Sequence, residues 1–240
     1  MTSTRAPGLP ARLFAWGGGA AFAAALAYCG WFVVVTLERP VAVMTRPALA
    51  LAVVIDVALF GLFAAHHSLA ARPPLKRWVT RWLGAGLERS LYVWLASGLL
   101  ALTCACWQGM PGTLYRTSGL AAASLTAVEI AGLWLTVAAT RVMDPLELAG
   151  IRQLQRQASP TTLQIVGPYH LVRHPLYLGW ILMMFAAPVM TASRLLFAMV
   201  SSGYLLLAIP WEERALVRIF GDEYERYRRR VPWKVIPFVS

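Results

Sequence analysis

The sequence predicts an all-α, polytopic membrane protein, and three observations carry that reading. Hydrophobic residues make up 58% of the 240 and charged residues only 14%, with a mean hydropathy of +0.58, whereas a soluble domain carries roughly 25% charged residues. Apolar windows recur at close to the roughly 20 residues that a helix needs to cross a bilayer. Stretches such as 48–65 are apolar on every face, which excludes an outer-membrane barrel, whose strands alternate apolar and polar side chains. In lipid the backbone finds partners only within its own helix or a closed barrel, so helices are what remains.

Six spans are expected, at about 12–36, 48–70, 91–107, 119–143, 176–192 and 194–210. The first follows Arg5 and Arg12 and has the outline of a signal peptide. It is too long for one, and no small-residue cleavage site follows, so a retained span is expected. The last two are short, and 190–194 reads as a tight helical hairpin with Pro188 bending the chain just before it.

The net charge of +11 comes from 22 Lys/Arg against 11 Asp/Glu. In a soluble protein this would suggest nucleic acid. Here the basic residues sit in short connections between apolar windows, where they orient spans instead, and no nucleic-acid partner is expected. Arg39, Arg46, Arg116 and Arg194 fall in one set of alternating connections, and the other 18 basic residues fall in the opposite set. Both termini are therefore expected in the cytoplasm, with the chain as one membrane domain over 1–240. Cys29, Cys104 and Cys106 lie inside apolar windows without metal-ligand spacing, so neither a disulfide framework nor a metal site is expected.

Polar chemistry concentrates in two places. The segment Gly167-Pro-Tyr-His-Leu-Val-Arg-His-Pro-Leu-Tyr-Leu-Gly179 opens the fifth span. Pro175 suits the first turn of a helix. That end of a helix presents free N–H groups and partial positive charge, and Arg173 adds a planar fork of donors for a carboxylate or phosphate. An interfacial basic-aromatic anchor is the alternative reading. The sixth span ends in Trp211-Glu-Glu-Arg214, followed by Phe220-Gly-Asp-Glu-Tyr224. A hairpin returns this end to the face where span five begins, so Arg173 and His174 are expected beside Glu212 and Glu213. One glutamate should point inward and the other should pair with Arg214 or Arg218. Such a bipolar pocket suits a ligand with a carboxylate, a cationic centre and ribose hydroxyls, as in S-adenosylmethionine. The chain contains no dinucleotide or phosphate-loop fingerprint to compete.

The run GPYHLVRHPLYLGW, followed by EERALVRIFGDEYERYRRRVP, resembles the C-terminal half of the integral-membrane methyltransferases, which include isoprenylcysteine carboxyl and phospholipid methyltransferases. Upstream, HHSLAARPPLKRW, ERSLYV and GIRQL are similar to the bacterial methanethiol S-methyltransferase branch, close to NnrU-like proteins. The resemblance extends from about residue 60 to residue 238. It implies an S-adenosylmethionine-dependent transfer of methyl to a small, membrane-permeable thiol, with methanethiol giving dimethyl sulfide. The alternatives are methylation of a prenylcysteine carboxylate or a phospholipid amine, or a non-enzymatic NnrU-like role. By position it implies cofactor contacts from Tyr169, Arg173, His174, Pro175, Tyr177, Gly179, Glu212, Glu213 and Arg214, within a cofactor-binding part of about 144–240. His67 and His174 are the candidate acceptors of the thiol proton, and no metal is implied. Two departures stand out. His66 precedes His67-Ser68 where relatives tend to have Gln, and Asp144-Pro145 with Glu147 precedes Gly150-Ile-Arg-Gln153 where an Asn-His pair is expected.

Asp56, Glu129, His66 and His67 lie within or at the ends of spans, where ionisable groups mark paired or functional sites. Asp56 and His67 are eleven positions apart, so they share a helix stripe about 16 Å apart along the axis. Asp56 and Glu129 are expected to be interhelical ties. The stretch from Arg72 to Trp82 reads as a basic amphipathic helix on an anionic leaflet.

Overall fold

A computed structural model describes residues 8–39, 41, 43–70, 72–152 and 162–239. Arg5, Gln153 and Arg156 lie outside these residues. The described chain is mostly helical and forms two compact units, one of 1–34, 51–108 and 143–158, the other of 35–50, 109–142 and 159–240. Five helical stretches among the described residues are long and apolar enough to cross a membrane: Leu9–Thr36, Arg46–Ala70, Gly86–Cys106, Gly119–Thr140 and Ala192–Phe220. Large apolar side chains project outward from them, among them Leu13, Val54, Trp134 and Leu207. The chain is a multi-pass membrane protein.

In the first unit, helix α1 (Leu9–Trp31) packs on α4 (Ala85–Cys106). Small residues set that approach, since a Cβ on Gly17 would stand 2.9 Å from the Trp94 ring. Trp94 also donates its indole N–H to the Phe14 carbonyl at 2.9 Å. Helix α2 (Arg46–Ala70) carries Asp56, which is buried and accepts the Gln108 backbone N–H at 2.8 Å; Asp56 is thus a tie to the chain just past α4. Helix α3 (Pro73–Leu83) has no buried residue and leaves Trp78 and Trp82 exposed, as an interfacial amphipathic helix requires. The short α6 (Pro145–Leu148) starts at Asp144, whose carboxylate accepts the Leu146 N–H at 2.8 Å and pairs with Arg152. Gly150 follows with φ +73° and lies against Ser90, which donates to the Gly150 carbonyl at 2.7 Å. Gly150 therefore lies against Arg89 and Ser90 of the ERSLYV run, and only a residue without Cβ fits at the crossing.

In the second unit, α5 (Gly119–Thr140) crosses α7 (Pro175–Phe185) at Gly132 and Gly179. A Cβ on Gly132 would stand 2.7 Å from the Gly179 carbonyl, and one on Gly179 would stand 2.6 Å from the Gly132 carbonyl, so this is a close small-residue crossing of the kind membrane helices favour. Helix α8 (Ala192–Phe220) runs back along α7 and leads into α9 (Asp222–Arg230).

The expected fifth span at 176–192 is shorter in fact. Helix α7 has 11 residues, about 16 Å, half of a hydrocarbon core of about 30 Å. It stops because Pro188 follows closely and because strand β2 (Val189–Thr191) pairs antiparallel with β1 (Thr113–Arg116). Thr117 N–H donates to the Pro188 carbonyl at 2.9 Å, and Ala192 N–H to the Gly112 carbonyl at 3.0 Å. Non-helical backbone at such depth survives where protein covers it and its polar groups are paired; Ala187, Met190 and Thr191 are buried. Helix α8 is correspondingly longer than the expected 194–210.

The start of α8 is built on Arg194. Its side chain is wholly buried, donating to Glu38 at 2.7 Å, to Glu129 at 2.5 Å, and to the carbonyls of Met183 and Met184 at 2.9 and 3.3 Å. The guanidinium thus caps the last turn of α7, whose carbonyls have no helical donors.

Candidate functional site

The hairpin of α7 and α8 brings the two sequence clusters together, as their order required. Arg173 donates from Nε to Glu213 Oε1 at 2.6 Å and from Nη1 to the carbonyls of Val231 and Pro232 at 2.8 and 2.7 Å. The Arg173 and His174 backbone N–H groups donate to the Trp233 and Lys234 carbonyls at 3.0 and 2.8 Å. The C-terminal tail is thereby laced to the residues that open α7.

His174 is buried, with Nε2 3.3 Å from Glu213 Oε1 and Nδ1 3.6 Å from Glu212 Oε2. Its ring stacks on Tyr177 at 5.2 Å, and Tyr177 donates its hydroxyl to Glu212 Oε2 at 2.6 Å. Pro175, at the first position of α7, is buried beneath this layer. Of the adjacent carboxylates, Glu213 is the inward one. Glu212, expected beside Arg214 or Arg218, instead takes the Tyr177 hydroxyl. Arg214 donates to the Pro210 carbonyl one turn back at 3.0 Å and lies over the Trp211 ring.

Tyr169 sits in the 3₁₀ turn Gly167–His170. Its carbonyl accepts the Tyr227 hydroxyl at 2.8 Å, and its own hydroxyl donates to the Ala139 carbonyl at 3.4 Å. Burial, then the charge of Glu212, pushes the Tyr169 phenol up to about 12. Burial also raises Tyr224 and Tyr227, with the charge of Glu213 adding to the shift in both. All three phenols stay neutral at physiological pH, acting as hydrogen-bond donors and apolar walls. Gly179 serves the α5 crossing described above.

A cleft of about 610 Å³ opens along α8 and α9, with Glu213, Arg214, Arg218, Glu225, Arg228 and Lys234 in its lining. Arg228 comes within 3.8 Å of Glu213 Oε2 and donates to Glu225 at 3.0 Å. Four cations therefore surround two carboxylates in a volume usual for small-molecule sites. Sequence reasoning used Arg228 and Lys234 only as charges that orient the chain, and Arg218 besides that only as a partner for one of the glutamates. The i, i+4 spacing of Arg214 and Arg218, which sets both on one face of α8, was the available signal.

In the first unit, His67 Nδ1 lies 2.8 Å from the Tyr92 hydroxyl, and its ring stacks on Phe63. His66 Nε2 approaches the Tyr92 carbonyl at 3.4 Å.

The phospholipid methyltransferase family model matches residues 126–223, a range that includes α7, α8 and both polar clusters. The chain is 38% identical over 219 residues to methanethiol S-methyltransferase 2 of Bradyrhizobium diazoefficiens, covering 89% of this chain and 83% of that protein. The chain belongs to the methanethiol S-methyltransferase family. Further relatives are the methanethiol S-methyltransferases of Crocosphaera subtropica, 37% identical over 82% of this chain and 79% of that protein, and of Mycobacterium tuberculosis, 41% identical over 76% and 79%. No solved structure matches the chain. As a member of this methyltransferase family the protein is an enzyme that requires a methyl donor, and the Arg173–Glu213 pair lies inside the segment that the family model covers.

Proposed function

We propose that the protein transfers the methyl group of S-adenosylmethionine to methanethiol, giving dimethyl sulfide. The observation that carries this reading is the cleft beside Glu213, set in a chain that is 38% identical to a methanethiol S-methyltransferase over 89% of its length. The donor set suits the cofactor. Arg214, Arg218, Arg228 and Lys234 match its carboxylate, Glu212 and Glu213 match ribose hydroxyls or the ammonium, and the stacked His174 and Tyr177 rings offer a face to a cation. When bound, S-adenosylmethionine supplies an electrophilic methyl group on a sulfonium. Arg173 orients Glu213 and fixes the C-terminal tail. His174 orients both glutamates, Tyr169 and Pro175 wall the layer, and Gly179 lets α7 approach α5. An alkyl thiol is less acidic than a cysteine, with its pKa of about 8.5, and needs a base near neutral pH, for which His67 and His174 are the candidates. A small acceptor dissolved in the bilayer needs no separate recognition domain.

We place the protein in the cytoplasmic membrane of a bacterium with both termini in the cytoplasm. The Arg173–Glu213 contact supports this, because it makes α7 and α8 return to one level, with four long spans ahead of them among the described residues. The lysine and arginine bias then favours the cytoplasm for that side. Headspace gas chromatography of purified protein supplied with S-adenosylmethionine and methanethiol tests the reaction, and dimethyl sulfide is expected. Methylation of a prenylcysteine analogue or phosphatidylethanolamine, with none of methanethiol, would overturn the choice of acceptor.

A further inference from the structure

We infer that Cys29 and Cys104 form a dithiol site that closes to a disulfide between α1 and α4, and that the oxidant it takes is a small, apolar organic disulfide. Cys29, Cys104 and Cys106 are all free thiols in the structure. Cys29 and Cys104 are 6% and 3% exposed, and their thiols lie within hydrogen-bonding reach of each other. Contacts on either side of the pair show the same alignment of the two helices. A Cβ on Gly18 would stand 3.5 Å from the Ser90 carbonyl oxygen, and the Phe32 and Trp107 rings meet edge to face at 6.1 Å. Phe32 and Trp107 each follow their cysteine by three positions. Gly18, Ala25 and Cys29 are buried along one face of α1, as are Ser90, Ser97 and Cys104 along one face of α4. The pair is therefore one rung of a seam of small side chains. Such seams let helix backbones approach closely, which a disulfide needs, its Cα atoms standing within about 7 Å.

Burial selects the oxidant, because thiols in apolar surroundings are inert toward reagents that cannot enter them. One cysteine, as its thiolate, attacks a sulfur of R–S–S–R, forming a mixed disulfide and expelling RS⁻. The second cysteine sulfur attacks the first, forming the Cys29–Cys104 bond and expelling the other RS⁻. The two cysteine protons end on the two RS⁻ groups, so the pair loses two electrons and the reagent leaves as two RSH. Dimethyl disulfide, the oxidised form of methanethiol, is small, dissolves in hydrocarbon, and returns two molecules of methanethiol for each cross-link made. That choice of reagent rests on the proposed acceptor, whereas the pairing of the cysteines does not. On the proposed topology α1 and α4 both end on the side away from the cytoplasm, where disulfides persist.

The experiment uses the full chain in detergent micelles with Cys106→Ser, a change at an exposed position that leaves the pair as the only thiols. The protein is incubated with dimethyl disulfide, quenched with acid, unfolded and weighed by mass spectrometry. A loss of two hydrogens is expected, with a cross-linked peptide that holds Cys29 and Cys104, and dithiothreitol should restore the starting mass. The unfolding midpoint should rise on oxidation, because the closed loop restricts the unfolded chain. Glutathione disulfide, a charged reagent, should cross-link the pair about tenfold more slowly. Two free thiols after dimethyl disulfide treatment, or a methylthio group retained on each cysteine, overturns the dithiol site. Equal rates with the two reagents overturn the choice of an apolar oxidant. If the cross-link forms but the unmodified protein makes no dimethyl sulfide from methanethiol, the proposed function fails and the dithiol site stands.

Discussion

Arg194, wholly buried at the start of α8, donates to Glu129 of α5 at 2.5 Å. The same guanidinium holds Glu38 and the end of α7, so three segments of the second unit meet on one side chain. Arg194→Met leaves two carboxylates facing each other and the α7 carbonyls without their donor. The expected destabilisation is about 3 kcal/mol, the lower part of the range for breaking a buried ion pair, since both glutamates are partly exposed. Thermal unfolding in detergent measures it. Arg194→Lys should recover only part, because an ammonium cannot reproduce the fork.

Arg173→Ala should weaken S-adenosylmethionine binding by about 1.5–3 kcal/mol, the range for hydrogen bonds to charged groups. The expected route is indirect, through release of Glu213 and of the tail at Val231 and Pro232. Arg218→Gln and Lys234→Gln should weaken binding by a similar amount without lowering the unfolding temperature. Asp56→Asn, which changes a tie to Gln108, should leave affinity unaltered. Calorimetric titration gives all four values. Equal losses from Asp56→Asn and Arg173→Ala would mean that unfolding, not site chemistry, is being measured.

Gly132→Leu should break the α5–α7 crossing. Its Cβ alone would stand 2.7 Å from the Gly179 carbonyl, and an overpacked contact costs about 1–3 kcal/mol or more when backbone is the obstacle. Gly203, beside which a Cβ meets nothing within 4 Å, is the control: Gly203→Ala should leave stability unchanged or slightly raised. The difference between the two unfolding midpoints is the readout.

Alkaline pH should destabilise the second unit through its phenols. Tyr169 is raised to about 12, and Tyr224 and Tyr227 are raised by burial, above an ordinary value of about 10. A group whose pKa is higher in the fold contributes stability that is complete below pH 10 and disappears as pH climbs through the folded value. The unfolding midpoint should therefore fall between pH 10 and 12. A protein carrying Phe at 169, 224 and 227 should show a shallower fall. Phenolate absorbance recorded alongside identifies the titrating groups.

Much of this architecture is legible in the sequence because it depends on local composition. The long spans follow from apolar windows, and the meeting of Arg173 and His174 with Glu212 and Glu213 follows from a hairpin and helix periodicity. The basic helix α3 and the ties at Asp56 and Glu129 were legible in the same way. The early end of α7 was not, because β1 and β2 are more than seventy positions apart and neither short segment has a strand pattern of its own. Arg194 reads as one of four charges in the sparse set of connections, and only tertiary packing reveals it as buried. The partner of Glu212 was misjudged because Arg214 is nearer in sequence, whereas Tyr177 reaches it across the hairpin. Tyr92 is one aromatic among many until its hydroxyl is seen against His67.

Pro210 sits within α8, between the end that Arg194 secures and the turn that carries Glu212 and Glu213. Proline supplies no N–H to the carbonyl four positions earlier and crowds it, so the helix lacks one rung there and bends most easily at that level. Mechanically, α8 is a beam clamped at one end with a soft joint just ahead of its working tip. Displacement of the tip relaxes at the joint before it can load the clamp, and the width of the cleft lined by Pro210, Glu213 and Arg214 is the dimension that yields.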